Sequence, residues 1–394
     1  MIKIGYANRL TLCVKLFKNN YINFLLAASF GMTLLAAAWT VVVGAKDFSL
    51  AIAFFSVLIG LLMMIMVIGS LNFKTYNRDF FERLIVNIFV IQSLFSLCAF
   101  VSPTVREIVH HFQFAEDAAK AEASYAGFRG LAISGRLYFE FAATCGLVTI
   151  IQFKRISDNK NSSWKEYIKL ILIVICGFFA GRTSMIGFGF GIVYLILCKA
   201  QTKNKLRIIG NFILILLICV ASCALILPPD ILIFVTDFVA PWVFDLFIKF
   251  SETGSTSDSA SFNHLNEMYE YVTITSEEWI YGSGRFMSST GGYYKSVDGG
   301  YIRHLLYWGV IGSFFNILYG LLYFIKPYFK SIFRDDRIFI ILICLYSFFL
   351  HYKGDLVTTS RFYHVPLVIV MLPYVIKPGI FFKYGTNRYR NSVG

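Results

Sequence analysis

Charge is scarce in this chain. Asp, Glu, Lys and Arg make up 15% of its 394 residues, against about 25% in soluble proteins. Acids are the rarer sign, 23 against 36 Lys and Arg. The eight cysteines do not fall in the long polar stretches. Seven lie in or beside apolar runs and Cys13 lies in the basic N-terminal tail, which excludes a disulfide framework. No cysteine pair has zinc-ligand spacing beside histidines, so a zinc module is excluded and the cysteines read as small core residues. A cleavable signal peptide is not expected either. The opening "MIKIGYANRLTLCVKLFKNN" is too basic and mixed for an apolar signal core, and reads as a cytoplasmic amphipathic tail.

What fills the chain instead is apolar sequence. Hydrophobic residues make up 57% and aromatics 18%; mean hydropathy is +0.66. Runs of around twenty apolar residues recur throughout, which predicts an all-α, polytopic integral membrane protein. Ten spans are expected, near 22–44, 49–71, 84–102, 136–153, 166–180, 183–198, 208–228, 302–325, 338–352 and 362–377. With both termini cytoplasmic, the inner segments hold 23 of the 36 Lys and Arg residues. The largest outer segment, 229–301, has ten acids against three bases. This is the positive-inside pattern. The net charge of +13 is therefore topological, and a nucleic-acid partner is excluded.

Three regions follow: 1–228 with seven spans and an outer loop at 103–135, the large outer loop 229–301, and 302–394 with three spans and a cytoplasmic tail. Within the large loop, "DILIFVTDFVAPWVFDLFIKF" is broken by acids and Pro241 and is expected to be interfacial. "SETGSTSDSAS" reads as a linker. "SFNHLNEMYEYV" reads as a short helix capped by Ser261, and "SEEWIYGSGRF" ends in turn residues. No internal repeat is visible, which disfavours transporters built from related halves.

The stretch "GFFAGRTSMIGFGFGIVYLI" (177–196) places Arg182 inside an apolar run. One helix over 166–198 would be about 50 Å long at ~1.5 Å per residue, far more than a ~30 Å hydrocarbon core. A single crossing would also put "KAQTKNKLR" outside and the acidic loop inside. Two short helices with a turn at Gly181–Ser184 satisfy length and charge together, and Arg182 becomes the outer tip of a hairpin. Gly187, Gly189 and Gly191 lack the preceding strand of a dinucleotide fingerprint and are expected to serve close helix packing.

Outward arginines run against the positive-inside trend: Arg129, Arg136, Arg182, Arg285, Arg303 and Arg361. Singly, each reads as a snorkelling or ion-paired residue. Together, they suit an anionic headgroup such as a lipid pyrophosphate, which guanidinium binds bidentately. Asp298 and Asp355 are the outward acids beside them, with His304 next to Arg303. Asp298 reads equally as a general base on a sugar hydroxyl or as a salt-bridge partner or cap for the helix that follows. Trp279, Tyr281, Tyr293, Tyr294 and Tyr301 read either as sugar-stacking rings or as an interfacial aromatic belt.

"GSGRFMSSTGGYYKSVDGGYIRHLLYWGVIG" (282–312) resembles the signature of Wzy-type O-antigen polymerases and the related O-antigen ligases. In those families a Gly-x-Gly turn leads to Asp-x-Gly-Tyr and then to a helix bearing Gly-x-x-Gly. The matching positions are Gly282 and Gly284, then Asp298, Gly300 and Tyr301, then Gly309 and Gly312. The hairpin tip "GRTSMIG" and the plan of ten spans with one large late loop are similar as well. The chain departs from the family in that spaced Arg-to-Gly loop repeats are not clearly present.

The resemblance implies an O-antigen polymerase of lipopolysaccharide biosynthesis, a membrane glycosyltransferase of the GT-C type in the bacterial inner membrane with a periplasmic site. It implies no cofactor and no metal. The substrates would be polyprenyl-pyrophosphate-linked oligosaccharides in the membrane lipid, with a chain-length regulator protein as partner. Arg129, Arg182, Arg285, Arg303, Arg361 and Tyr301 would bind pyrophosphate or glycan, and Asp298 would be catalytic. Ligases usually carry histidine at the position of Asp298, which favours polymerase. A flippase for the same lipid-linked unit would have more spans and only short loops. A membrane O-acetyltransferase would have a His–Arg pair near its first span, which residues 1–30 do not supply.

Overall fold

A computed structural model describes residues 16–70, 78–113, 131–133, 138–159, 162–200, 202–241, 260–289 and 291–375, with 119, 248 and 251–252 between them. Apart from one isolated bridge between Met287 and Tyr293, the regular structure of the described residues is helical. Fourteen α-helices lie among the described residues. They are α1 Asn20–Val43, α2 Ser49–Ser70, α3 Arg78–Val101, α4 Pro103–His110, α5 Phe139–Asp158, α6 Trp164–Ala180 and α7 Ser184–Leu197. Then come α8 Thr202–Ile226, α9 Pro229–Phe234, α10 Ala260–Glu270, α11 Ser276–Tyr281, α12 Gly300–Lys330, α13 Arg334–His351 and α14 Arg361–Val375.

Ten of these fall on the ten predicted segments. Five helices, covering Asn20–Val43, Ser49–Gly69, Arg78–Val101, Asn204–Ser222 and Gly300–Lys330, are long and apolar enough to cross a membrane by length and composition. The chain is a helical protein built for membrane insertion. Local chemistry sets the helix ends. The Asn19 side chain accepts from the Tyr21 amide at 2.9 Å to start α1, and Gly44, at φ 71°, ends it in the left-handed region. Helix α10 begins at Ala260, so Ser261 lies inside the helix it was expected to cap.

The predicted hairpin is present: α6 ends at Ala180 and α7 starts at Ser184. Its helices pack by missing side chains. A Cβ on Gly187 would meet the Gly146 Cα of α5 at 2.3 Å, and one on Gly191 would meet the Phe153 ring at 2.1 Å. Backbones that approach this closely admit only glycine, as in membrane helix pairs. Gly189 faces open space. The Thr183 hydroxyl at the hairpin tip accepts from Lys353 Nζ at 2.9 Å, which brings the tip beside the loop between α13 and α14. That end of the bundle is the loop end.

At the opposite end lies an ion network. Arg78 meets Asp336 at 2.5 Å and Asp158 at 2.8 Å; Lys154, fully buried, meets Asp158 at 2.7 Å and Glu82 at 3.2 Å. Lys154 was assigned by sequence to a loop. It belongs to α5, which runs on to Asp158. A buried ammonium is tolerated because carboxylates from α3, α5 and α13 surround it. The network ties those three helices together where α14 ends, with Arg78 over the Tyr374 ring at 5.8 Å.

Two irregularities shape the loop end. Helix α12 is broken at Gly309 (φ 68°, ψ −174°) into 300–308 and 310–330. The loop 282–284 fills the break. The Ser283 and Gly284 amides donate to the carbonyls of Leu306 (2.6 Å) and Tyr307 (3.1 Å), and the Trp39 indole donates to Tyr307 at 3.1 Å. The carbonyls that lose helical partners thus find others. Gly282 from the first glycine pair of the sequence signature and Gly309 from the second are the two sides of this joint. The second irregularity is α14, which has only 15 residues, about 22 Å at ~1.5 Å per residue. Its first residue, Arg361, packs on Gly60 at the midpoint of α2, and Val357 packs on Gly320 well down α12. The segment 352–360 therefore descends into the bundle. Irregular backbone at such depth survives only when protein surrounds it. His364 contacts the Val357 and Ser360 carbonyls at 2.8 and 2.7 Å, one through each ring nitrogen.

Candidate functional site

The first half of α12 projects Arg303 and His304 into the loop end. Arg303 is 7% exposed. Its guanidinium carbon lies 3.7 Å from the Phe286 ring centre and 3.8 Å from that of Tyr293, between the two rings. Stacking on aromatic faces holds a guanidinium by its planes and leaves its in-plane N–H edge for an anion. The Nε of Arg303 has no hydrogen-bond partner among the described residues. Asp355 and Asp298 interact electrostatically with the guanidinium, Tyr293 does so and also hydrogen-bonds it, and Glu140 lies within electrostatic reach of Tyr293.

The ring clamp depends on the chain between α11 and α12, which two acids fix in place. Asp47, between α1 and α2, accepts from the amides of Phe286 at 2.5 Å and Met287 at 2.7 Å, while its other oxygen accepts from the Ser49 amide at 3.0 Å. Partial burial pushes the Asp47 carboxyl up, but these hydrogen bonds outweigh it and hold the group below the usual carboxylate range. Glu278 closes a capping box with Thr275 at the start of α11 and receives Lys295 at 2.7 Å and the Tyr294 hydroxyl at 3.0 Å. Its pKa is lowered as well: burial works against the charge, and the Lys295 bond leads the terms that overcome it. Lys295 and Ser296 adopt left-handed backbone conformations (φ 52° and 58°), so this loop carries strain that these contacts hold.

Behind Arg303 lies a buried polar cluster. His304 Nε2 lies 3.1 Å from Asp355 Oδ2 and 2.8 Å from the Thr358 hydroxyl; Thr358 contacts Asp355 Oδ1 at 2.5 Å, and Thr359 also donates to Asp355. The His351 ring stacks on that of His304 at 5.6 Å. His304, His351 and Asp355 each offer one ligand atom, all within 4.8 Å of one another, a set that could gather a divalent ion. Their inward nitrogens are already engaged, however. His351 Nδ1 accepts from the Leu356 and Val357 amides at 3.2 and 3.4 Å, and His304 Nε2 faces Thr358 and Asp355. With the Arg303 charge also acting on Asp355, the donor set fits a hydrogen-bonded relay better than a cation site.

The sequence-predicted residues divide. Arg303 is buried in the ring clamp beside the polar cluster. Arg182, half-buried, sits on the hairpin tip beside Thr183 and so beside the 352–360 loop. Arg361 opens α14 at mid-depth, exposed, and makes no ion pair with a described residue. Arg285 is exposed on the clamp loop, 5.9 Å from the Tyr294 ring centre. Arg129 and Arg136 lie outside the described residues. Asp298 is exposed and is not the cap of α12: Gly299 occupies that position without a side-chain bond. Tyr301 donates to the Phe348 carbonyl at 2.9 Å and packs edge-on against His351, so its position ties α12 to α13.

Sequence reasoning passed over Asp47, Phe286, Thr358 and His351. Asp47 lies 239 residues before the amide it clamps, and no local pattern marks it. His351 ends a predicted span and carried one signal, a polar residue at an apolar terminus. No protein-family model, curated protein or solved structure matches the chain.

Proposed function

We propose that the chain is a membrane glycosyltransferase of the O-antigen polymerase kind, with its site at the loop end of the bundle facing outward. It transfers a growing polyprenyl-pyrophosphate-linked glycan to the terminal sugar of a new lipid-linked repeat unit. The observation that carries this reading is Arg303, buried between two rings with Nε unbonded. Asp355 and Asp298 offset part of the cost of burying that charge, and the unbonded Nε leaves a donor that a further anion would complete. A pyrophosphate leaving group is an anion that a membrane-embedded pocket would meet, and fixed guanidinium groups stabilise its developing charge without reorganisation. Arg182 at the hairpin tip and Arg361 at the start of α14 adjoin the two ends of the segment that carries Asp355, and Arg285 rides on the clamp loop.

In this reading the acceptor hydroxyl attacks the anomeric carbon of the growing chain, and polyprenyl pyrophosphate departs with the bonding electrons. Arg303 holds the departing phosphates. Exposed Trp279 and Tyr281 on α11 and Tyr293 on the clamp loop offer faces for sugar rings. The test is genetic. A strain lacking the gene should attach single repeat units in place of a glycan ladder. Arg303→Ala should restore no ladder although it inserts at wild-type levels, and Arg303→Lys should restore little, since an ammonium lacks the planar fork. A full ladder from Arg303→Ala refutes the assignment of the pocket, and loss of all surface glycan in the deletion points to a ligase or flippase.

A further inference from the structure

The polar cluster behind Arg303 has a hydrogen-bond order that fixes its protons. Asp355 can only accept, and it takes the Thr358 hydroxyl proton at 2.5 Å. The Thr358 oxygen is then an acceptor toward His304 Nε2 at 2.8 Å, so Nε2 carries the hydrogen and shares it with Asp355 Oδ2 at 3.1 Å. The lone pair of His304 is left on Nδ1. That atom is buried and has no hydrogen-bond partner among the described residues. A carboxylate that sets the tautomer and leaves the opposite nitrogen bare is the arrangement of a histidine base.

Resting on the glycosyl-transfer reading, we propose that His304 is the general base of the reaction and Asp355 its positioning residue, in place of the exposed Asp298. The acceptor sugar O–H bond breaks and its proton goes to Nδ1. The oxygen pair forms the new bond to the anomeric carbon, while the bond from that carbon to the pyrophosphate oxygen breaks and its electrons leave with the lipid. Asp355 stabilises the imidazolium, which returns its proton to water after product release. The groups around His304 are Arg303 on its own helix, His351 at the end of α13, Asp355 and Thr358 from the descending loop, and the Phe286 ring at 5.8 Å. Phe286 places the base next to the clamp, one residue along α12 from the arginine that holds the leaving group.

The experiment measures elongation of purified lipid-linked repeat units by the full-length protein in detergent, across pH. His304→Gln should lower kcat about 10²–10⁴-fold with KM little changed. Asp355→Asn keeps the shape but removes the charge that stabilises the imidazolium, and it replaces one of the two accepting oxygens with an NH2 donor, so the contacts of Thr358, Thr359 and His304 cannot all be kept. It should lower kcat and move the acid limb of the pH profile to lower pH, an effect a packing role would not produce. Wild-type kcat in His304→Gln, with Arg303→Ala inactive, overturns the base assignment and leaves the transferase reading standing. Loss confined to Asp298→Asn overturns it likewise. An unmoved acid limb in Asp355→Asn removes the positioning role, and it stays readable if His304→Gln does not fold. Absence of elongation by the wild-type protein overturns the reading and this inference together.

Discussion

Alanine at Gly309 is the sharpest structural perturbation the fold allows. The native backbone there (φ 68°, ψ −174°) lies in a region open essentially to glycine alone, at about 1–3 kcal/mol for any other residue. The added methyl would meet the Ile280 carbonyl oxygen at 2.2 Å and its carbon at 2.5 Å. Main chain cannot rotate aside as a flexible side chain can, so overpacking adds about 1–3 kcal/mol. The combined cost, about 2–6 kcal/mol, is a large share of a typical ~5–15 kcal/mol stability. Gly282→Ala faces the same conflict from the other side, with the Tyr307 carbonyl oxygen at 2.3 Å. Both substitutions force the same two segments apart, so the double variant should cost less than the sum of the singles. Gly291→Ala is the control for backbone strain alone, with φ 89° and open space around it; Gly189→Ala, in open space within α7, should be neutral or stabilising. Thermal melting of detergent-purified protein should rank Gly189→Ala highest, Gly291→Ala next and Gly309→Ala lowest. A Gly309→Ala protein that melts at or above Gly291→Ala would refute the joint between α12 and the 282–284 loop.

Asp47→Ala removes the acceptor of the Phe286 and Met287 amides, worth about 1.5–3 kcal/mol each for bonds to a charged group, and should expose 285–293 to limited proteolysis while the helices stay intact; unchanged cleavage contradicts the clamp. The same clamp sets a pH dependence. The Asp47 pKa is lower folded than unfolded, so its stabilisation is present above the unfolded carboxyl value near ~4 and lost as pH falls through the folded value. Protease sensitivity of the wild-type loop should therefore rise only below about pH 4. Lys154→Met leaves Glu82 and Asp158 with Arg78, at 3.5 and 2.8 Å, as their remaining cation and should cost up to about 3–5 kcal/mol, read as melting temperature, and adding Glu82→Gln should recover part of it. Equal stability of Lys154→Met and wild type would show that the network holds no helices together.

The helices and the hairpin were legible because each rests on local pattern. Apolar runs mark the ten segments, and helix length together with charge parity places the turn at Gly181–Ser184. Gly282 and Gly284 were legible as a turn and Gly309 and Gly312 as helix residues, but not that Gly282 and Gly309 lie against each other, since that is a contact between a loop and a break in a helix. Lys154 was misplaced for a different reason: positive-inside reasoning counts charges near helix ends and does not see the carboxylates from α3 and α13 that let an ammonium be buried. At the candidate site, Arg303 was visible as an anomaly of charge, with Asp355 as an outward acid near it. The pairing of His304 with Asp355 was not, because the 352–360 segment reads as a short surface loop. Only its descent to the level of Gly60 and Gly320 shows otherwise. The cap expected of Asp298 failed by one residue, a margin within which helix starts are hard to assign.

The central claim is that a buried, ring-clamped guanidinium at the loop end handles a lipid pyrophosphate during glycan transfer. Its most direct test is turnover by the purified full-length protein supplied with lipid-linked repeat units alone, without nucleotide sugar. The account predicts a series of elongated glycans with one equivalent of polyprenyl pyrophosphate released per bond formed, and neither product from Arg303→Ala. Elongation by Arg303→Ala at the wild-type rate, or no release of polyprenyl pyrophosphate from wild type, would contradict it.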